Sequence, residues 1–160
     1  LTFSEKGDIL YTEREVRTMK NIYFDMDGTI ANLYGVNGWL DDILNENVRP
    51  YVEAKPLVNM NSLARILNRL VRNGYTVNVI SWTAKNGSNE YNEAVAEAKR
   101  KWLMKHLGSV KFENVFVVPY GTPKQNYGFG ILFDDEKPNR DNWNGKAFDE
   151  KNILGILKKM

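Results

Sequence analysis

Ile22-Tyr23-Phe24-Asp25-Met26-Asp27-Gly28-Thr29 decides the fold. Three consecutive β-branched or aromatic residues read as a buried strand. The chain then passes directly into two carboxylates, a glycine and a threonine, residue types that turn a chain and carry chemistry. Three more apolar runs repeat the first half of the pattern: Val77-Asn78-Val79-Ile80, Val115-Phe116-Val117-Val118 and Ile131-Leu132-Phe133. Between the first two runs, Leu63, Ile66, Leu67, Leu70 and Val71 fall on one helical face and Arg65, Asn68, Arg69 and Arg72 on the other, with Gly74 as the stop. Between the second and third, Asn89 is placed to cap a helix from about Glu90 to Leu107, with Tyr91, Ala94, Val95, Ala98 and Trp102 as its apolar stripe and Gly108 at its end. Crossovers of this length make neighbouring strands parallel, so the alternation predicts an α/β sheet covered by helices on both faces. In the tail, Lys146-Ala147-Phe148 reads as a short fifth strand and Asp149 as an N-cap, with Ile153, Leu154 and Leu157 facing inward.

Composition narrows the chemistry. The chain has 160 residues, 42% of them hydrophobic and 26% charged, a net charge of +2, no cysteine and one histidine. Thiolate nucleophiles, disulfides and zinc knots are excluded, and a single histidine does not build a multi-histidine zinc site. Catalysis therefore falls to Asp, Glu, Lys and Ser/Thr. The length suits one domain of about 100–200 residues. The charge balance gives no footprint for nucleic acid, while leaving room for an anion-binding cleft. No apolar run approaches the roughly 20 residues that span a bilayer, and the N-terminus lacks the basic-then-apolar pattern of a secretory signal. The expectation is a soluble, cytoplasmic protein with no membrane partner. Residues 1–18 stand outside the pattern, as an extension, a small strand pair or added sequence, and the domain is expected from Met19 onward.

Open α/β sheets bind ligands at the carboxyl ends of their strands. Those ends carry Asp25-Met26-Asp27-Gly28-Thr29, then Ser81-Trp82-Thr83, then Gly121-Thr122-Pro123-Lys124, then Asp134-Asp135. Carboxylates gathered at one rim repel one another unless a cation compensates. With only oxygen donors on offer, Mg²⁺ suits them better than zinc or copper, and Mg²⁺ commonly works with substrate phosphates. Lys124 and Ser81 offer a phosphoryl group a positive charge and a hydroxyl.

These residues resemble the four motifs of the haloacid dehalogenase (HAD) superfamily, over about residues 19–148. The resemblance implies a Rossmann-like, three-layer α/β/α fold with a mostly parallel sheet, and hydrolysis of phosphate esters through an aspartyl-phosphate. It implies Asp25 as nucleophile and Asp27 as the acid/base, a division of labour that needs two carboxylates. It places Mg²⁺ on the Asp25 side chain, the Asp27 main-chain carbonyl and Asp134, with Asp135 as an outer or alternative ligand. Ser81 then binds a phosphate oxygen, with Trp82 and Thr83 beside it, Lys124 neutralises Asp25 and the transferring group, and Thr29 orients the turn that places Asp27. Only ten positions separate Lys124 from Asp134, which leaves Lys85 and Lys137 as other candidates for the lysine.

Members of this superfamily often select substrate with an inserted cap. Here the insertion is about residues 30–56, enough for a short helical flap. Tyr34, Trp39, Tyr51 and Trp82 are aromatic candidates for stacking on a base, and core packing accounts for each equally well. The wording Asp-Met-Asp-Gly-Thr-Ile-Ala and the short cap resemble small 5′-nucleotidases, which makes nucleoside monophosphates the leading small phosphorylated substrates. The alternatives are a phosphatase for nucleic-acid ends or phosphoproteins, motivated by Arg65, Arg69 and Arg72, and a catalytically silent phosphate-binding module. Other features read more plainly. His106 sits where the helix dipole favours it, Asp41-Asp42 on the solvated face of a short helix at about 39–46, and Gly121–Lys124 lacks the P-loop spacing. Asn86-Gly87-Ser88 matches a glycosylation sequon with no signal to deliver it.

Overall fold

The computed structural model describes residues 2–6, 9–12 and 19–160. At the N-terminal end β1 (Thr2–Lys6) and β2 (Ile9–Thr12) form an antiparallel pair. From β3 (Asn21–Phe24) the chain enters an insertion bounded by two tiny strands, β4 (Ala31–Asn32) and β5 (Lys55–Pro56), which pair antiparallel. Between them lie a 3-10 turn (Leu33–Gly35), α1 (Trp39–Leu44) and α2 (Arg49–Glu53). There follow α3 (Met60–Arg72), β6 (Thr76–Trp82), α4 (Asn89–Leu107) and β7 (Phe112–Val118). After a 3-10 turn (Lys124–Asn126) come β8 (Ile131–Phe133), α5 (Lys137–Asn142), β9 (Lys146–Phe148) and α6 (Ile153–Lys158).

The central sheet runs β7-β6-β3-β8-β9, with all neighbours parallel. Successive strands are laid down on one side of β3 and then on the other, which is the Rossmann-like order, with its switch point between β3 and β8. On one face Ile22, Phe24, Val77, Val79 and Phe133 pack against α3, the end of α4 and α6. Leu63, Leu67 and Leu70 are wholly buried there, each worth about 1.5–3 kcal/mol by removal from water. The opposite face, built on Tyr23, Ile80 and Leu132, is covered by a thinner layer around Trp143 and Tyr127. The arrangement is three-layered, with unequal layers. No helix among the described residues is long and apolar enough to cross a membrane.

Several local expectations shift by a residue or two. Ser88, not Asn89, caps α4, its side chain accepting from the Tyr91 N–H. Gly74 is left-handed, as a helix stop requires, but Gly108 is right-handed and ends α4 without that geometry. Within α4, Ala94 is exposed and Lys99 is buried, so the inward stripe carries an ammonium group where the pattern predicts a continuous apolar seam. His106 packs tilted against Trp102, ring centroids 4.4 Å apart. Burial, followed by the Lys105 charge, pushes its pKa below the ordinary value, the reverse of what a dipole-stabilised imidazolium shows.

The cap is tied to the body. The Glu46 carboxylate accepts from both the N–H and the hydroxyl of Ser88, at 2.8 Å each, and the Tyr91 hydroxyl donates to the Asn47 carbonyl. Trp102 Nε1 donates to the Ala54 carbonyl. Leu33 and Tyr51 pack against Tyr91, Val95 and Ala98 of α4.

Candidate active site

Strand register brings the carboxylates together. Phe24 and Phe133 are partners across β3 and β8, so the next residues, Asp25 and Asp134, leave the sheet side by side. The Asp25 N–H donates to the Phe133 carbonyl and the Asp134 N–H to that of Phe148. The chain then turns sharply, with the N–H groups of Thr29, Ile30 and Ala31 converging on the Met26 carbonyl rather than on that of Asp27. Gly28 has φ +79°, and a Cβ there would collide with the Asp135 carboxylate; backbone conformation and close approach both demand glycine.

Two buried lysines divide the acidic groups. Lys124, 2% exposed, donates from Nζ to Asp25 Oδ1 at 2.8 Å and to Asp134 Oδ2 at 2.6 Å, and lies 5.0 Å from the centre of the Trp82 ring. Lys85 lines the cleft near Tyr120, and Lys137 is exposed and paired with Asp141. Of the three candidate lysines, Lys124 is the one placed against the aspartates. The second buried lysine is Lys99, 1% exposed, which sequence reasoning did not single out. Its Nζ donates to Asp27 Oδ2 at 2.7 Å, Ser81 Oγ at 2.8 Å and the Trp82 carbonyl at 2.6 Å. A lysine inside an apolar helical stripe, flanked by Val95, Ala98, Trp102 and Leu103, was the available signal.

Asp25, Asp134 and Asp135 each offer a carboxylate oxygen, all within 4.8 Å of one another, a group able to hold a divalent cation. Asp27 points its carboxylate to Lys99 instead. Thr29 is wholly buried. Its hydroxyl lies 3.1 Å from Asp25 Oδ2 and 3.2 Å from Asp135 Oδ1, and accepts from the Asp135 N–H. It therefore ties Asp25 to the β8 loop. Asn139 Nδ2 donates to Asp134 Oδ2, and Arg140 Nη1 to the carbonyls of Asp134 and Asp135, so α5 holds that loop in place.

Four carboxylates thus face two ammonium groups, and the titration of Asp27, Asp134 and Asp135 reflects the imbalance. Burial raises the Asp27 carboxyl, with Lys99 opposing the rise and Asp25 adding to it. Asp134 is pushed up to about 6 and Asp135 to about 7, each first by burial and then by the Asp25 charge. Burial opposes the Lys124 ammonium, but the charges of Asp25 and Asp134 outweigh it and hold its pKa above the ordinary lysine value. Unpaired negative charge in an oxygen-only site suits a hard divalent cation.

Above these groups opens a cleft of about 680 Å³, lined at its base by Asp25, Asp27, Thr83, Lys124 and Asp134. Ser81 is wholly buried, with its Oγ engaged by Lys99, and the cleft lining passes from Trp82 to Thr83. Thr83 Oγ1 is buried without a hydrogen-bond partner, so of the two hydroxyls at this strand end that of Ser81 is engaged and that of Thr83 is not. The reason is strand length: β6 continues to Trp82, which turns Ser81 toward α4 and Trp82 to the other face. There the indole donates to the Thr122 carbonyl. Two aromatic pairs line the cleft, Tyr34 with Trp39 and Trp82 with Tyr120, each with ring centroids 5.0 Å apart. Tyr51 is buried below them. Arg65, Arg69 and Arg72 lie on α3, away from this lining.

Fold and site together define a parallel α/β protein with a metal-capable carboxylate cluster at its topological switch point, consistent with a HAD-like fold and with a hydrolytic or metal-binding site. No protein-family model matches the chain, and no curated protein matches it.

Proposed function

We propose that this protein is a Mg²⁺-dependent phosphomonoester hydrolase of the HAD type, acting through an aspartyl-phosphate, with nucleoside monophosphates as its preferred small substrates. The observation that carries the reading is the setting of Asp25. Its carboxylate is gripped by Lys124 on one oxygen and Thr29 on the other, beside Asp134 and Asp135, at the base of an open cleft. The working unit is residues 19–160, with the cap at about 30–56 and residues 1–18 as an extension without an assigned role.

Asp25 attacks phosphorus as the ester bond to the leaving oxygen breaks, and Asp27 delivers a proton to that oxygen. Asp27 then takes a proton from water as the water oxygen bonds to phosphorus and the bond to Asp25 breaks, which restores both carboxyl groups. Lys124 offsets the charge of Asp25 and of the phosphoryl oxygens, and Thr83 donates to one of those oxygens. Asp25, Asp134 and Asp135, with the Asp27 carbonyl, would hold Mg²⁺, which would supply Lewis-acid charge for the phosphoryl group. The cleft aromatics offer a nucleobase stacking surface, worth about 1–3 kcal/mol per base.

A panel of nucleoside monophosphates, sugar phosphates and phosphopeptides, assayed with and without Mg²⁺, tests the reading. Turnover only with Mg²⁺, and fastest on nucleotides, is expected; no turnover of any ester overturns it. Within that reading Thr83→Val is expected to raise KM about ten- to a hundredfold, the loss of one hydrogen bond to a charged oxygen at about 1.5–3 kcal/mol. Ser81→Ala should move KM less than about twofold, and the opposite ranking would return the phosphate contact to Ser81.

Metal and protons compete for the same carboxylates. A carboxyl whose pKa is raised by folding contributes stability that is complete below its unfolded value, about pH 4. That contribution is lost as pH rises through about 6 for Asp134 and about 7 for Asp135. The metal-free protein is therefore expected to melt at a lower temperature at about pH 8 than at about pH 5, with Mg²⁺ raising the melting temperature most at the higher pH. Asp135→Asn should flatten the metal-free slope. A slope unchanged by that substitution contradicts the assignment.

A further inference from the structure

We propose that Lys99 is a positioning residue that reserves Asp27 for proton transfer, holding its carboxylate apart from the metal-capable aspartates; this rests on the reading of Asp27 as the acid/base. The fold gives the two carboxylates of Asp25-Met26-Asp27 separate cations. Lys124 bridges Asp25 and Asp134, while Lys99 grips Asp27 alone among the aspartates. All three ammonium protons of Lys99 are used, on Asp27 Oδ2, Ser81 Oγ and the Trp82 carbonyl. The Tyr51 ring covers the ammonium from the cap side, its centre 5.3 Å away.

The cost of this arrangement points to function. Every close neighbour of Lys99 along the α4 stripe is apolar, namely Val95, Ala98, Trp102 and Leu103, and a leucine or methionine would extend that seam. Burying an ammonium carries a penalty of several kcal/mol, and well-packed apolar replacements for buried ion pairs are often neutral or stabilising. What the lysine supplies and an apolar residue does not is a fixed orientation for Asp27. With Oδ2 held, Oδ1 carries the proton toward the cleft that Asp27 lines. Lys99 itself touches neither substrate nor phosphoryl group. Ser81, at the place where a phosphate ligand is expected, serves here as the second anchor of Lys99.

A positioning role has a signature that a structural role lacks. Protonation matters greatly for a poor leaving group and little for a good one, and kcat/KM reports the step in which that group departs. Lys99→Met is expected to lower kcat/KM about a hundredfold or more for an alkyl phosphate, and less than about tenfold for p-nitrophenyl phosphate. Asp27→Asn should show the same split. Stabilisation of Lys99→Met by beryllium fluoride with Mg²⁺ should persist, because Asp25 and Lys124 are untouched. Should Lys99→Met fail to fold, Lys99→Gln keeps polar contacts to Ser81 and Trp82 without the charge, and the same split is expected of it. Equal losses on both esters, or no loss, in whichever variant folds overturn the inference. If Asp27→Asn shows the split and the Lys99 variant does not, the role of Lys99 falls while the acid/base reading stands. If Asp27→Asn shows no split, the acid/base reading falls and takes the proposal with it.

Discussion

Replacing Asp25 by asparagine is expected to abolish turnover, with kcat at least about 10³-fold lower and the residual rate insensitive to leaving group, since nothing else in the cleft takes over the nucleophile's role. Asparagine keeps the size of the side chain and one acceptor for Lys124, while its amide N–H donates to the Thr29 hydroxyl in place of the bond that Asp25 accepts, so the sheet is undisturbed. What is lost is the charge that Lys124 neutralises and that Asp25, with Asp134 and Asp135, would offer to a cation. The variant should therefore fold, lose the Mg²⁺-dependent shift in melting temperature caused by beryllium fluoride, and show no burst with p-nitrophenyl phosphate. Activity within about tenfold of wild type would mean that the reaction does not pass through Asp25.

The second large effect is expected at Lys124. Lys124→Met leaves Asp25 and Asp134 facing each other in a buried site without their shared ammonium, and removal of one partner from a buried pair costs about 3–5 kcal/mol. Urea denaturation should register that loss, and Mg²⁺ should restore part of it by returning positive charge to the same carboxylates. Activity should not recover with stability, because the loss of a fixed charge at the transferring group costs about 10²–10³ in kcat. Lys137→Met is the contrast. Its pairing with Asp141 is solvent-exposed, and pairs of that kind contribute about 0–1 kcal/mol. If the two substitutions are alike in stability and kcat, Lys124 has no special role.

The parts of the site read from sequence were those fixed by strand ends. Asp25, Asp27 and the Asp134-Asp135 pair follow apolar runs directly, and parallel register alone brings Asp25 beside Asp134. Lys124 was legible by its order along the chain, and only the geometry separated it from Lys85 and Lys137. The choice between Ser81 and Thr83 depended on how far β6 continues. Ser81 and Thr83 share one parity, so alternation alone does not separate them; the run Val77–Ile80 does not show that β6 continues to Trp82 and keeps Ser81 within the sheet, against Lys99.

Lys99 was passed over for a different reason. Helix patterns sort residues by polarity, so a lysine is assigned outward by default, and Ala94 took a place on the stripe that the structure gives to Lys99. Its burial becomes favourable only when the Asp27 carboxylate, Ser81 hydroxyl and Trp82 carbonyl arrive from other elements. The grip of Asn139 and Arg140 on the β8 loop, and the tie from Glu46 to Ser88, are likewise tertiary. They join polar residues whose sequence surroundings are those of ordinary loops and caps.

The account turns on a covalent bond between Asp25 and phosphorus. Borohydride reduces an acyl phosphate to an alcohol, so the protein quenched during turnover of a nucleoside monophosphate with Mg²⁺ and then reduced can be read by peptide mass spectrometry. The expected result is homoserine at position 25, dependent on substrate and on Mg²⁺ and at no other aspartate. Turnover without modification at position 25, or reduction at Asp27, Asp134 or Asp135 instead, would contradict the account.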